Sequence, residues 1–164
     1  MELPKNEHPE FVGLQALKTK QAIQLAIFEE WARDKHWQNF HSSHYDWWMF
    51  PYSQPSQFGF AYVVFASEIH DLNQDPDFNR NYLRGVELLL LSWGWDLYKQ
   101  TLIQAPDPDQ TWHNWPIRLY KCAMSLKEFG YVTEFNSVRS YARLLMEKGV
   151  SFEYNGRDLS TLFN

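Results

Sequence analysis

The residues best suited to chemistry in this chain gather near position 40, where His36, His41, His44 and Asp46 stand close together. If 38–50 form a helix, His41 and His44 share one face, and neutral imidazoles so placed can hold a metal ion. Such a centre needs third and fourth ligands. His70, His113 and Asp107 are the candidates, and nothing in their spacing brings them to that face. The alternative is a set of solvated or hydrogen-bonded histidines. A metal-assisted hydrolase built on segment 36–46 is therefore one reading, and no metal is assigned. Serine catalysis requires a hydroxyl activated by an oriented base, and the Gly-x-Ser-x-Gly elbow is absent. The paired carboxylates Asp107 and Asp109, and Asp75 and Asp77, fall in a loop and at a helix start, where solvation and capping account for them. Glycine-rich phosphate loops are absent as well. No catalytic residue and no cofactor is assigned.

The basic residues offer a different chemistry. Arg118, Lys121, Ser125 and Glu128 recur at spacings of three, four and three, and Arg139 and Arg143 lie one turn apart further on. Two helices folded back across Gly130 would set both basic rows beside one groove, which would draw an acidic peptide or a carboxylate. The alternative is a plain solvated face. Trp47, Trp48, Trp112 and Trp115 pose a similar choice between ligand contacts and anchors in the core or loops. The expected ligand-binding set is Tyr45, Asp46, Trp47, Trp48, Asn114, Trp115, Arg118 and Lys121.

The elements that must position these residues read as helices. Apolar residues repeat at three and four, with no sustained two-residue alternation, so the expected fold is all-α. It is a single compact helical domain of about five to seven helices with a central long one. Residues 1–10, with two prolines, read as a loose arm, 11–150 as the helical domain and 151–164 as a tail. Segment 11–34 is helical, with Phe11, Leu14, Leu17, Ile23, Ile27 and Trp31 inward and a break capped by Thr19. A short helix over 38–50 closes at Pro51, a loop follows to Gly59, and a further helix covers 61–72. Asp75-Pro76 is an N-cap followed by the helical position that accepts proline. The long helix it opens buries Phe78, Tyr82, Val86, Leu89, Leu90 and Trp93, and Gly94 ends it. Residues 104–116 read as a loop, and helices over 117–129 and 134–148 end at Gly130 and Gly149.

Composition bounds the function. The chain has 164 residues, 45% of them hydrophobic, and its 29 aromatic residues (8 Trp, 9 Tyr, 12 Phe) supply much of the core. A single cysteine, Cys122, forms no intrachain disulfide and reads as a small buried hydrophobe, which favours the cytoplasm. The N-terminus lacks a signal-peptide pattern, and no apolar run approaches the ~20 residues of a membrane span. With 20 acidic and 15 basic residues the net charge is −5, which opposes nucleic acid.

Three blocks in order carry a family resemblance. Ser43-His44-Tyr45-Asp46-Trp47-Trp48-Met49-Phe50-Pro51 resembles the pattern His-Asx-Tyr-Ile-Gln-Trp-Leu-Phe-Pro, with Tyr45, Trp48, Phe50 and Pro51 matching. Glu87 to Gly94 is similar to a leucine-rich helix closing on an aromatic-glycine pair. Arg118 to Gly130 is similar to a helix that opens on arginine and ends Ser-Leu-x-x-x-Gly, with Arg118 and Lys121 at its two basic positions. Over about 25–150 the chain thus resembles the conserved region of the opioid growth factor receptor. The family's histidine, isoleucine and glutamine fall on Ser43, Asp46 and Trp47, so roles tied to those residues do not transfer. The resemblance implies a compact helical domain with an interaction role. The expected function is a non-enzymatic binding domain for a peptide, a protein or a small anionic ligand. A metal-assisted hydrolase and a structural oligomer subunit are the alternatives.

Overall fold

Asp75 does what its neighbours predict: its Oδ1 accepts the backbone N–H groups of Asp77 at 3.0 Å and Phe78 at 3.2 Å. These are two of the orphan donors at a helix start. The structure, a computed structural model, describes residues 2–113 and 115–164. Helix α5 (Pro76–Ser92) opens at that cap and buries Phe78, Tyr82, Val86 and Leu88 to Leu90 at the centre of the molecule. It stops at Gly94, whose φ of +83° suits glycine. A Cβ there would meet the Gln110 carbonyl oxygen at 2.6 Å.

Helix α1 (Leu14–Arg33) packs along α5. The break expected at Thr19 does not occur, because no glycine or proline interrupts the segment and Leu17, Gln21 and Phe28 keep one face buried. Ile23, expected inside, is 59% exposed. The Gln21 side-chain amide donates to the Phe78 carbonyl at 3.3 Å, and Arg84 Nε and Nη2 each bond a Glu29 oxygen at 2.8 Å.

The single helix expected over 38–50 is instead two short turns, α2 (Asn39–Ser42) and α3 (Asp46–Met49). Ser43 between them is extended, and the carbonyls of Phe40 and Ser43 accept hydrogen bonds from Arg118. A long-range partner thus outweighs local helix propensity. Gly85 of α5 lets α3 approach, since a Cβ there would lie 2.8 Å from Met49 Cε. The helix expected over 61–72 begins only at α4 (Ala66–Asn73). The preceding stretch turns at 60–62, and Asn6 holds it by donating from Nδ2 to the Phe60 and Val63 carbonyls, both at 2.9 Å. Buried Glu68 accepts the N–H groups of Asn6 and Phe65, and His8 stacks on Phe60 at 3.7 Å. The N-terminal segment is therefore fastened to the fold and is not a loose arm.

Helices α6 (Pro116–Phe129) and α7 (Val132–Glu147) pack together across Gly130, whose φ is +85°. The fold is mostly helical but not purely so. It carries two antiparallel hairpins, β1 (Trp95–Asp96) with β2 (Thr101–Leu102) after α5 and β3 (Glu153–Tyr154) with β4 (Arg157–Asp158) after α7. The tail then packs back through buried Phe152, Leu159 and Phe163, and Arg143 Nε donates to the Phe163 carbonyl at 2.7 Å. Seven α-helices occur among the described residues, and none is long and apolar enough to cross a membrane.

Candidate functional site

The polar stripe of α6 faces inward, against the expectation of a solvated or ligand-facing row. Its targets belong to the segment from Phe40 to Ser53. Arg118 is 2% exposed. Its Nε donates to Asp46 Oδ1 at 2.7 Å, its Nη2 to the Ser43 carbonyl at 2.6 Å and its Nη1 to the Phe40 carbonyl. The guanidinium also lies 4.2 Å from the Tyr45 ring centroid. Ser125 Oγ donates to the Pro51 carbonyl at 2.7 Å, and Glu128 accepts from the N–H and hydroxyl of Ser53 at 2.9 and 2.6 Å. Three of the four stripe residues thus read the chain's own backbone.

Lys121, the fourth, does not. Among the described residues its ammonium has no carboxylate within 4.0 Å and no hydrogen bond. It is half-buried, 5.1 Å from the Trp47 ring centroid. Burial holds its pKa below the ordinary lysine value; the Asp46 carboxylate opposes that shift and Arg118 adds to it. The Trp47 Nε1 donor is likewise buried and has no partner among the described residues.

Asp46, Trp47 and Lys121 line one small cavity, closed by Tyr52, Phe50 and Tyr62. Its volume of about 20 Å³ admits one water-sized group. Burial first, then nearby Tyr120, pushes the Tyr52 hydroxyl up to about 12. Asp46 is already engaged by Arg118. Two of the lining residues, Trp47 and Lys121, thus carry donors without a partner among the described residues, an indole N–H and an ammonium, beside Asp46, of which only Oδ1 is engaged. A carboxylate oxygen fits those two donors.

The other expected site residues are placed around it. Tyr45 is fully buried, its hydroxyl donating to the Phe40 carbonyl at 2.5 Å, and burial drives its pKa far above the usual value. Trp115 takes a left-handed conformation at the start of α6 and donates from Nε1 to the His41 carbonyl at 2.7 Å. Arg118 and Tyr45 are buried and Trp115 half-buried, and all three bond the chain's own backbone. Trp48 lies beside the cavity, its ring 5.4 Å from Tyr62 and 4.5 Å from Lys20 Nζ. Asn114 lies outside the described residues. The second basic pair does not join a common groove. Arg143 is tied to the tail, and Arg139 is half-buried on α7.

The histidine arrangement expected for a metal is also altered. The chain breaks at Ser43, so His41 and His44 are not on one helix. His41 is buried, stacked on Trp93 at 5.4 Å, with neither ring nitrogen hydrogen-bonded among the described residues. Burial, with the Arg118 charge and His113 assisting and the nearby Ser92 carbonyl opposing, lowers its pKa to about 4. His44 and His36 are exposed. Among the described residues no three His, Cys, Asp or Glu side chains form a metal-holding group. Asp107, expected as a ligand, accepts from Trp37 Nε1 at 2.8 Å. Buried Cys122 has its thiol pushed well above the ordinary value by burial.

Sequence reasoning missed Tyr52, Tyr62 and Lys20. Tyr62 was assigned to a helix and Tyr52 to a loop, and the only available signal was the density of aromatics on both sides of Pro51. A larger cleft of about 530 Å³ lies between the 103–112 loop and α7, lined by Trp112, Ile103 and Leu144. It gathers one of the tryptophans weighed as anchors, Trp112, with Trp93 at the end of α5, none of the expected ligand contacts among the described residues, and a Gln110 bonded at both ends of its amide.

Comparison with family models, curated proteins and solved structures finds no match.

Proposed function

We propose that the protein is a binding module whose Trp47–Lys121 cavity receives an anionic group, of carboxylate type, from a peptide, protein or small-molecule partner. One observation carries this reading. In a stripe whose other three members are satisfied by the chain itself, Lys121 alone is left with a partly desolvated cation, beside an equally unpartnered indole donor. An unpaired buried donor costs about 1–3 kcal/mol, so an acceptor supplied from outside gains that amount back. Membership of the opioid growth factor receptor conserved-region family belongs to the same proposal. It is supported by the three blocks between Ser43 and Gly130, and it accords with an interaction role.

The test is a titration of ¹⁵N-labelled protein with sodium acetate, followed at the Trp47 indole N–H. The expected result is a saturable shift that is lost in Lys121→Gln, with the remaining spectrum of the variant unchanged. A Trp47 resonance that ignores acetate, or that moves equally in the variant, would overturn the reading.

A further inference from the structure

Beside the cavity four aromatic rings close a circuit. Ring centroids are 6.0 Å apart for Trp47 and Trp48, 5.4 Å for Trp48 and Tyr62, 5.8 Å for Tyr62 and Phe58, and 4.7 Å for Phe58 and Trp47. The rings come from α3 and from the 52–62 segment, and Phe58 is 44% exposed. Two cations from different helices lie against them. Lys20 of α1 is 4.5 Å from the Trp48 centroid and 5.7 Å from Tyr62, and Lys121 of α6 is 5.1 Å from Trp47.

Lys18, Arg84 and Arg118 each meet a carboxylate within 2.9 Å, whereas among the described residues neither Lys20 nor Lys121 has one within 4.0 Å. What sets these two lysines apart from the other cations without a carboxylate partner (Lys99, Lys127, Lys148, Arg139, Arg143 and Arg157) is that both lie over rings of this one circuit. A chain of net charge −5 thus presents an aromatic face carrying two uncompensated ammonium groups. Their ring contacts exclude water from one side of each cation, which strengthens any ion pair formed on the other. The complementary surface is apolar in the middle and negative at two points.

We propose that this face docks an acidic segment of a partner protein that carries an aromatic side chain between its carboxylates. The inference rests on the cavity reading above: one carboxylate reaches Lys121 and the Trp47 indole, a second meets Lys20, and the ring between them covers Phe58 and Tyr62. Nucleic acid and anionic membrane fit less well. Both call for larger basic clusters than two lysines, and the net charge of −5 repels them.

The test uses the full chain and fluorescence anisotropy with a labelled ten-residue peptide holding one phenylalanine between two pairs of glutamates. Its controls are the same peptide with serine for phenylalanine, the same peptide with glutamine for every glutamate, and phosphatidylserine vesicles. Wild type is compared with Lys20→Gln, Phe58→Ser and Lys121→Gln, each confirmed folded by circular dichroism. The phenylalanine peptide is expected to bind about tenfold tighter than its serine counterpart, and Lys20→Gln and Phe58→Ser each to weaken it by about tenfold. Rising salt should weaken all of this binding. If both glutamate peptides bind equally and only Lys121→Gln matters, the docking inference fails while the cavity reading stands. If Lys121→Gln changes nothing, the cavity reading fails and takes the inference with it. Equal binding of the glutamine peptide, preference for vesicles, or no peptide binding at millimolar concentration would each contradict the docking face.

Discussion

Arg118 and Asp46 are 72 residues apart in the chain and form an ion pair of 2.7 Å whose side chains are 3% and 9% exposed. Two further hydrogen bonds from the same guanidinium end on the carbonyls of Phe40 in α2 and of Ser43 just after it, so one side chain fixes where that segment turns. A buried pair of this kind is a poor source of net stability, but halving it is costly, because one charge is left without compensation.

Replacing Arg118 with leucine should therefore destabilise the fold by about 3–5 kcal/mol. Urea denaturation followed by tryptophan fluorescence measures this. The Arg118→Leu, Asp46→Leu double variant should recover part of the loss, and a double variant as unstable as the sum of the singles would refute the pairing argument.

Gly94→Ala should cost roughly 2–3 kcal/mol, combining the strain of a left-handed backbone with a clash. The added Cβ would stand 2.6 Å from the Gln110 carbonyl oxygen, and a backbone atom cannot swing aside as a side chain does. The same denaturation experiment reads it, with Gly149→Ala as comparison. That glycine also has positive φ, but no heavy atom lies within 4 Å of its added Cβ, so its loss should be smaller.

Acid should weaken the protein through His41. Its folded pKa is depressed to about 4 from an ordinary 6.5, so between those values the unfolded chain binds a proton that the folded one refuses. Stability is unaffected above about pH 6.5 and falls as pH drops towards 4, by roughly 3 kcal/mol in total. Arg118 and His113 are the neighbouring groups that oppose its protonation. Denaturation midpoints across pH 4–7 should show this slope in wild type, and His41→Phe should lack most of it.

Cys122 should be silent towards an aromatic disulfide reagent in the folded protein and react only on addition of denaturant. Burial both hides its sulfur and suppresses the thiolate that attacks. Rapid modification under native conditions would contradict its placement in the core.

What the sequence made legible was the part encoded locally. The Asp75-Pro76 cap, the buried stripe of α5 and the glycines closing α5, α6 and α7 follow from short-range rules about donors, periodicity and positive φ. The kink at Ser43, the late start of α4 and the fastening of the N-terminal segment do not, because each depends on a partner far away in the chain. Arg118, Glu68 and Asn6 supply those partners, at separations of 54 to 78 residues. The candidate site was half readable for the same reason. Asp46, Trp47 and Lys121 were expected and do meet, whereas Arg118 was expected to face a ligand and instead binds its own chain. Helical spacing put Arg118, Lys121, Ser125 and Glu128 on one side of α6, but it does not say whether that side meets solvent or protein.

The most direct test of the central claim is the titration of the Lys121 ammonium by NMR, with and without saturating acetate. In the free protein its pKa should lie below that of an ordinary lysine, because burial outweighs the pull of Asp46. Anion binding favours the charged form, so acetate should raise it, and acetate affinity should fall as pH rises through that pKa. A Lys121 pKa that is the same with and without acetate would contradict the account.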